Sequence, residues 1–306
     1  MFMFSAFDDR RLPLRLISWV NFLMVGIAMV WSQASVAQNA VELYIRDDVL
    51  EDYLAFVTDC DVLDIKEFSG RTIRRDVVDM IIAQQAMAIG GFKRDYQYHA
   101  GKVNFRNTRL LQQGKLLISF DSYWLADAEE LQQDVYISDP VIRRGEYVAG
   151  IYTGMQNQAI LKVNNLAQLQ QFSAISTPLW RTDWRTIQSL GLSKVLREDE
   201  WISMARMVSN GWVDFMLMPL YRSGHEIYEL ENIRLQPVPG VVVLLNDSRH
   251  FVISKHHPDG KAAFDAIQIG LAALREQGRI LKAYQQAGFV VDPERFIILN
   301  PAQSQE

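Results

Sequence analysis

The chain has almost no cysteine and no surplus of positive charge. Cys60 is the single cysteine in 306 residues, which excludes an internal disulfide framework and a cysteine-rich zinc site. The 31 lysines and arginines are outnumbered by 36 aspartates and glutamates, giving a net charge of −5 at pH 7. Without a long basic run there is no electrostatic footprint for phosphate groups, so we expect no nucleic-acid partner.

Short catalytic and metal-binding motifs are also missing. The sequence has no Gly-x-Ser-x-Gly elbow, no Gly-x-Gly-x-x-Gly turn and no phosphate-binding loop with Gly-Lys-Ser/Thr. His225-Glu226 starts like a zinc-protease motif, but Glu229 stands near the position of the second histidine. His256 and His257 are adjacent, and neighbouring side chains of an extended segment point to opposite faces. We therefore predict no metal site and no cofactor.

The rest of the composition is that of an ordinary globular protein. Hydrophobic residues make up 49% of the chain and charged residues 22%, which is ample apolar material for a core. At roughly 150 residues per domain, this length suggests two domains or two lobes.

The first 37 residues are typical of a secretion signal. Three arginines precede an apolar run over 16–31, and small residues follow in Ser35-Val36-Ala37, the pattern that a signal peptidase recognises. The alternative is a single membrane anchor, but a spanning helix needs about 20 apolar residues and this run is shorter. We predict that residues 1–37 are cleaved and that the mature protein resides in a Gram-negative periplasm.

Hydrophobic periodicity predicts strands that alternate with helices along the remaining chain. Strands are expected at 41–45, 96–99, 116–120, 135–137, 147–152, 173–176, 212–218, 241–245 and 251–254. Helices are expected at 72–89, 107–113, 127–132, 166–171, 184–190, 200–209 and 261–286. Residues 50–68 are not assigned firmly. The alternation indicates an α/β protein with mostly parallel sheets.

One candidate ligand-binding group follows a predicted strand directly. Asp121, Ser122, Tyr123 and Trp124 come where an apolar strand ends, and the carboxyl ends of parallel strands are where ligands bind in such sheets. The alternative is that the two aromatic rings are core residues. Tyr44, Arg46 and Asp47, at the end of the first strand, form a further group of this kind.

A third candidate group opens a helix. Trp180, Arg181 and Trp184 follow the strand at 173–176. Helix N-termini accept anions, and the two indole rings can stack on a flat ligand. The alternative is ordinary capping by Thr182 or Asp183 with one buried tryptophan. Such groups in separate segments indicate a cleft assembled from both lobes.

Four short segments occur in a characteristic order: Arg109-Leu-Leu-Gln-Gln-Gly-Lys-Leu116, Tyr136-Ile-Ser-Asp-Pro140, Ser209-Asn-Gly-Trp-Val-Asp214 and Leu274-Arg-Glu-Gln-Gly-Arg-Ile-Leu-Lys-Ala-Tyr284. With them the chain resembles the periplasmic solute-binding proteins of the type 2 fold. The nearest group is the polar amino-acid-binding (family 3) group of ABC transporter substrate-binding proteins. The resemblance spans roughly 41–289.

The resemblance implies an α/β fold of two lobes, each with a parallel-rich sheet flanked by helices. Lobe 1 would comprise 38–145 and 241–306, and lobe 2 would comprise 146–240. Two crossing strands, near Tyr147 and near 238–242, would join the lobes, which close on a small-molecule ligand. The partner would be a membrane permease or a sensor protein, and the chain would act as a monomer.

The amino-acid clamp of that family is missing from its usual positions. Family members hold the ligand carboxylate with an arginine in the region that here reads Ala126-Asp-Ala-Glu-Glu-Leu131, and the ammonium with an aspartate where Pro219 stands. We therefore expect free α-amino acids not to be tight ligands. The three tryptophans of the candidate groups, with Asp121, favour a flat or cationic ligand.

The leading functional hypothesis is a non-catalytic receptor that delivers its ligand to an ABC-type transporter. A ligand-sensing periplasmic module for a signalling system is the alternative. A dehydratase-like enzyme is a third hypothesis, because related folds include such enzymes. Catalysis would require an acid and a base in the cleft, and no spacing enforces a pair between Asp121 and either Glu129 or Glu130.

Overall fold

The computed structural model describes residues 40–70, 72–101, 104–220, 227–290 and 295–300, with the side chains of Asn104 and Phe105 excepted. The predicted signal peptide and His225-Glu226 lie outside these residues. Of the described residues, those between 42 and 93 and between 97 and 300 belong to one compact unit, whereas Ala40, Val41 and residues 94–96 belong to another.

The described chain forms nine α-helices and twelve strands. The helices are α1 (Asp47–Val57), α2 (Arg75–Ile89), α3 (Asn104–Gln112), α4 (Leu125–Glu130), α5 (Leu166–Leu169), α6 (Arg181–Ser189), α7 (Trp201–Ser209), α8 (Gly260–Glu276) and α9 (Arg279–Gln286). The strands are β1 (Ala40–Ile45), β2 (Asp95–Ala100), β3 (Tyr123–Trp124), β4 (Val135–Ile142), β5 (Val148–Gly154), β6 (Ser173–Ser176), β7 (Lys194–Arg197), β8 (Phe215–Met218), β9 (Tyr228–Leu230), β10 (Ile233–Leu244), β11 (Arg249–Ser254) and β12 (Ile297–Ile298).

Helix α2 is the central helix of the part of the chain around the three-stranded sheet. Its residues 77–87 are buried on every face, and it packs closely on α8. A Cβ atom added to Gly270 would lie 1.9 Å from the carbonyl oxygen of Ala86, and one added to Gly90 would lie 2.0 Å from that of Ala266. The two helices therefore approach at a distance that only glycine allows.

The three-stranded sheet has the order β3-β11-β4 and is antiparallel throughout. The predicted strand at 116–120 is not a regular strand. This buried segment runs beside β11, with a single bridge between Ile118 and Ile253. Ser119 Oγ donates a hydrogen bond to the carbonyl oxygen of Asp121, and this local bond takes the chain into a turn rather than along the ladder.

The seven-stranded sheet contains both pairing directions. Its order is β12-β10-β5-β8-β6-β7, with β9 on β10. The pairs β6-β7, β6-β8 and β10-β12 are parallel, whereas β5 pairs antiparallel with β10 and β8. The mixed α/β class is thus confirmed, with more antiparallel pairing than the alternation of elements indicated.

Strands β5 and β10 pair in two stretches with an interruption between them. Leu235–Pro237 lies opposite Tyr152–Gly154, and Val242–Leu244 lies opposite Val148–Gly150. Proline has no N–H for the ladder, and Gly240 adopts a φ of 71°, so the register shifts here. The pair lies where the resemblance puts the two crossings, and the division into lobes stays a prediction.

One unassigned stretch is resolved by the structure, and one helical prediction is wrong in part. The unassigned stretch 50–68 begins inside α1, whose first turn carries Asp47 and Asp48, as the helix dipole favours. The long helix expected at 261–286 is two helices, because Gly278 takes a left-handed φ of 68° between α8 and α9. Among the described residues, no helix combines the length and apolar character needed to cross a bilayer.

Candidate functional site

Ser122, one of the predicted site residues, is fixed by a buried carboxylate. Asp79 on α2 has a fully buried side chain and accepts hydrogen bonds from Ser122 Oγ at 2.6 Å and Ser122 N at 3.0 Å. The hydroxyl of Tyr284 on α9 donates to its other oxygen. Asp79 therefore ties the loop at 121–122 to two helices.

Two arginines flank the same loop: Arg249 is buried and Arg75 is partly buried. Arg75 Nη1 lies 2.6 Å from Asp79 and 2.9 Å from Asp121. Arg249, at the start of β11, donates from Nε to Ser122 Oγ at 2.9 Å and from Nη2 to the Ser122 carbonyl oxygen. Its Nη2 is 3.7 Å from Asp121. Asp121 is the exposed member of this network, with 57% of its side chain accessible.

The charges of the network shift its pKa values in opposite directions. Burial raises the pKa of Asp79, against the attraction of Arg75 and Arg249. Burial also acts to raise the pKa of Asp76, but the attraction of Arg75 and of Arg74 outweighs it, so the pKa of Asp76 is lowered. The network thus balances several charges inside the protein.

Three carboxylates lie close enough together to surround a cation. Oxygens of Asp76, Asp79 and Asp121 are all within 4.8 Å of one another. The guanidinium of Arg75 donates hydrogen bonds to each of the three. A positive group therefore already compensates this set, and the set by itself does not indicate a metal site.

Trp124 lies beside this network rather than in a separate core. Its ring meets Tyr147 edge-on at a centroid distance of 5.2 Å, and the guanidinium carbon of Arg249 lies 4.5 Å from its ring centroid. Its neighbour Tyr123 is oriented differently: the Tyr123 hydroxyl lies 3.3 Å from Thr108 Oγ1. Tyr123 packs with a core cluster of this part of the chain, as the alternative interpretation proposed for it.

The structure places the three predicted residues at the end of β1 in different surroundings. Tyr44, Arg46 and Asp121 line one small pocket of about 30 Å³, so two predicted groups meet there. Arg46 donates to Asp48 at 2.8 and 3.0 Å. Asp47 is an exposed residue in the first turn of α1 and does not line this pocket.

The start of helix α6 bonds to residues of α4 and of the loop between β10 and β11. Arg181 Nη2 donates to Glu130 Oε2 at 2.9 Å, and Arg181 Nη1 donates to the other oxygen of the same carboxylate. Arg181 Nε lies 3.7 Å from Asp127. Thr182 Oγ1 donates to Asp247 Oδ2, after β10, at 3.2 Å. The first turn of α6 is thus bonded to α4 and to the loop between β10 and β11.

The two tryptophans of this helix have different surroundings. Trp180 is partly buried and packs against the core cluster that includes Tyr152 and Met204. Trp184 is also partly buried, one turn further along α6. Of the predicted group, Arg181 is therefore the residue that bonds across to the other part of the chain.

Asp183, which the sequence pattern suggested only as a possible cap, has a shifted pKa. Burial raises its pKa from 3.8 to about 6, against the hydrogen bond of its own backbone N–H and the attraction of Arg249. Burial raises the pKa of Tyr147 to about 12, and the charge of Asp183 adds to this effect. Asp183 therefore lies near the group that holds Trp124.

Comparison with solved structures identifies the fold. The periplasmic VFT2 domain of BvgS from Bordetella pertussis shares 12% identity and a TM-score of 0.51, covering 84% of this chain and 96% of that chain. The second substrate-binding domain of GlnP from Lactococcus lactis, in its open conformation, gives 14% identity and a TM-score of 0.49, covering 82% and 95%. The P235GK mutant of ArgBP from T. maritima gives 12% and 0.47, covering 83% and 97%.

No protein-family model matches the sequence, and no curated protein matches it. At identities this low, the likeness to solved structures concerns the fold alone. The chain has the two-lobed type 2 fold of periplasmic binding proteins, as the resemblance implied.

Proposed function

We propose that the protein is a non-catalytic solute-binding protein that closes two lobes, divided as 38–145 with 241–306 and 146–240, over a small molecule. The observation that carries the proposal is the bonding of the first turn of α6 to the other part of the chain, through Arg181 with Glu130 and Thr182 with Asp247. Residues from distant segments thereby converge where a ligand would be enclosed.

The ligand-binding residues in this proposal come from both lobes. Lobe 1 supplies the two predicted groups that meet at the pocket lined by Asp121. Lobe 2 supplies the residues at the start of α6. The proposed set is Tyr44, Arg46, Asp121, Ser122, Trp124, Trp180, Arg181 and Trp184. Asp47 and Tyr123 also stay in the proposed set, although Asp47 does not line the pocket of Tyr44 and Arg46 and Tyr123 packs against a core cluster.

Free α-amino acids remain unfavoured as ligands in this proposal. Pro219 supplies neither charge nor N–H where an ammonium partner would be needed. Arg181 could have replaced the missing carboxylate partner, but it is engaged by Glu130. A zwitterion that enters a dehydrated cleft requires a partner for each charge.

The proposed setting is the Gram-negative periplasm, with cleavage of residues 1–37 and a monomeric mature chain. Its partner is an ABC-type permease to which the closed form delivers the ligand. A sensor protein is the alternative partner, and recovery of a permease or a membrane kinase with the protein from its own cells would distinguish the two. Mass spectrometry of the periplasmic protein tests the cleavage.

A ligand screen combined with a closure measurement tests the binding function. The mature protein is first screened by thermal shift against a metabolite library, since a ligand at 100 times its dissociation constant adds about 2.7 kcal/mol of stability. Hits are then tested by fluorescence transfer between dyes on the exposed Cys60 and on an Asn164→Cys variant. A Lys261→Cys variant gives a control pair in which both dyes lie within the proposed lobe 1.

We expect a hit to raise transfer for the pair between the proposed lobes and to leave the control pair unchanged. A hit that stabilises the protein and leaves both pairs unchanged would contradict closure. A library in which no compound stabilises the mature protein would contradict the proposed binding function itself.

A further inference from the structure

Asn107 on α3 carries a buried amide oxygen that has no hydrogen-bond partner among the described residues. Only 6% of the residue is exposed, and its Nδ2 donates to the carbonyl oxygen of Tyr44 at 2.9 Å. That bond fixes the orientation of the amide, because the flipped amide would place its oxygen against another oxygen. An acceptor that is removed from water and left unbonded is costly, so a donor from outside the chain is expected here.

The residue with the unbonded oxygen lines a pocket that also has exposed residues in its wall. Asn107 shares this pocket of about 30 Å³ with Tyr44, Arg46, Asp76 and Asp121. The side chains of Arg46 and Asp121 are 45% and 57% exposed, so a solute has access to the pocket. Its volume exceeds the roughly 10–15 Å³ that one water molecule requires, and it admits a group of about two non-hydrogen atoms.

The pattern of α3 makes an amide at this position unexpected. Asn107 and Leu111 stand one turn apart on the same face of the helix, and Leu111 is fully buried in a core cluster. An apolar side chain at position 107 would extend that face. The bond to Tyr44 satisfies only the donor of the amide. Holding the end of β1 therefore explains the amide nitrogen and leaves the oxygen unexplained.

Resting on the proposed function, we propose that this pocket receives a hydroxyl group of the solute, with Asn107 Oδ1 as the acceptor of its proton. The ligand class is then small hydroxylated solutes. The oxygen is enclosed in the unliganded chain, so the hydroxyl reaches it through a small turn of the amide toward the pocket. A hydroxyl also replaces a water molecule in such a pocket without losing the hydrogen bonds that the water makes.

The charges at the pocket are already paired, which disfavours an ionic group. Asp76 and Asp121 both accept hydrogen bonds from Arg75, and Arg46 bonds to Asp48. A ligand carboxylate has no donor for the amide oxygen and would face two carboxylates. An ammonium would lose its hydration on entering, although each described carboxylate of the pocket already has an arginine as its partner.

Four probes of similar size test the pocket in the mature protein. Methanol is the hydroxyl, acetonitrile the neutral acceptor, methylammonium the cationic donor and formate the anionic acceptor. Probes this small bind weakly, so each is titrated to molar concentration at neutral pH and constant ionic strength. The backbone amide NMR signals of Ile45, Asn107 and Asp121 report binding. The wild type is compared with Asn107→Leu and with Asn164→Leu, a control at an exposed asparagine outside the pocket.

We expect methanol to bind the wild type at least about fivefold tighter than each other probe, as one additional hydrogen bond implies. Asn107→Leu should remove the preference over acetonitrile, and Asn164→Leu should keep it. Asn107→Leu should also weaken the hydroxylated hits of the metabolite screen by a similar factor. If Asn107→Leu fails to fold, the ranking of the four probes on the wild type decides.

The results that overturn the hydroxyl assignment are distinct from failure of the binding function. Equal binding of methanol and acetonitrile, tighter binding of methylammonium or formate, or a pocket that keeps only water in a methanol-soaked crystal would each overturn it. A hit that closes the lobes without entering this pocket would also overturn it, and would leave the solute-binding proposal intact. Absence of any hit or closure in the full screen contradicts the solute-binding proposal, whatever the probes show.

Discussion

Asp183 links the stability of the unliganded protein to pH. Its pKa is raised from 3.8 to about 6, so between these values the folded chain holds a proton that the unfolded chain has lost. The free energy of unfolding therefore falls as the pH rises between these two pKa values. Above the higher value the loss of stability is complete. We expect Asp183→Asn to raise the free energy of unfolding by about 1–3 kcal/mol at pH 7.5 and to change it little at pH 4. Urea unfolding at the two pH values measures the difference.

Asp265→Asn is the matched control, because it also removes one negative charge but from an exposed site on α8. It should change stability by no more than about 0.5 kcal/mol at either pH. Equal effects of Asp183→Asn at both pH values would show that burial does not shift its ionisation.

Single residues of the candidate site could be proposed from the sequence where they follow a local pattern. Ser122 and Trp124 come directly after an apolar segment, and Arg181 opens a helix. Arg249 has no such local signal, because its partner Ser122 lies 127 positions earlier in the chain. Asp79 was hidden in the same way: it sits within a helix whose neighbouring faces are all buried, and its partners come from other segments.

The close packing of helices α2 and α8 requires a glycine, without a side chain, where they cross. A Cβ atom at position 270 would lie 1.9 Å from the carbonyl oxygen of Ala86, so the helices would have to separate. We expect Gly270→Ala to destabilise the protein by about 1–3 kcal/mol through overpacking. Chemical unfolding compares it with Ile269→Ala, a change at a neighbouring position that is 58% exposed. Similar losses for both variants would contradict the close crossing.

The carboxylate of Asp79 holds the loop at 121–122 against helices α2 and α9. Asp79→Asn keeps the size of the side chain, but its amide would present donors to groups that already donate: Ser122, Arg75 and Tyr284. Breaking a buried charge pair in this way costs about 3 kcal/mol or more. Unfolding measurements should show that loss, whereas Asp139→Asn, at an exposed position, should have little effect. A stable Asp79→Asn variant would mean that the loop is held by other bonds.

At the scale of elements, the existence of a helix or strand was more predictable than its ends. The periodicity over 72–89 corresponds to α2 at Arg75–Ile89. The apolar segment 116–120 has strand character, but pairing requires a partner and hydrogen-bond alignment that a single segment does not encode. The split between α8 and α9 was signalled by Gly278, whose backbone conformation overrides the continuous apolar face on either side.

At the scale of the whole molecule, the proposed lobe closure makes the ion pair between α6 and α4 a contact of the closed form, so the pair should influence the balance between open and closed forms. Glu130→Gln leaves the shape of the side chain and removes the charge that Arg181 binds with two hydrogen bonds. We expect the closed population of the unliganded protein to fall by on the order of twofold, because exposed ion pairs contribute modestly. Fluorescence transfer between position 60 and position 164 reports the change.

Added salt should reduce closure of the wild type more than that of Glu130→Gln, since screening weakens exposed ion pairs. Glu229→Gln is the matched control, because it removes the exposed partner of Arg234 and lies away from the contact between α6 and α4. An identical salt response for the wild type and Glu130→Gln would show that this pair does not influence closure.

The architecture was predictable because four short segments occur in the order of a known fold, and each of them includes residues of a helix, strand or turn. What could not be predicted is how the segments face one another. Thr182 and Asp247 meet through a buried hydrogen bond, although neither belongs to any of those segments. Such contacts depend on how distant segments come together in the folded chain, and no local sequence pattern predicts them.

The bonding of α6 to α4 has a kinetic consequence for the proposed lobe closure. Under that proposal, two lobes that already hold each other must separate before a solute can enter. The rate of capture would then rise with solute concentration only until opening becomes the slow step. Beyond that concentration, the rate at which the proposed lobes open, to which the Arg181–Glu130 and Thr182–Asp247 bonds both contribute, would limit how fast the protein fills.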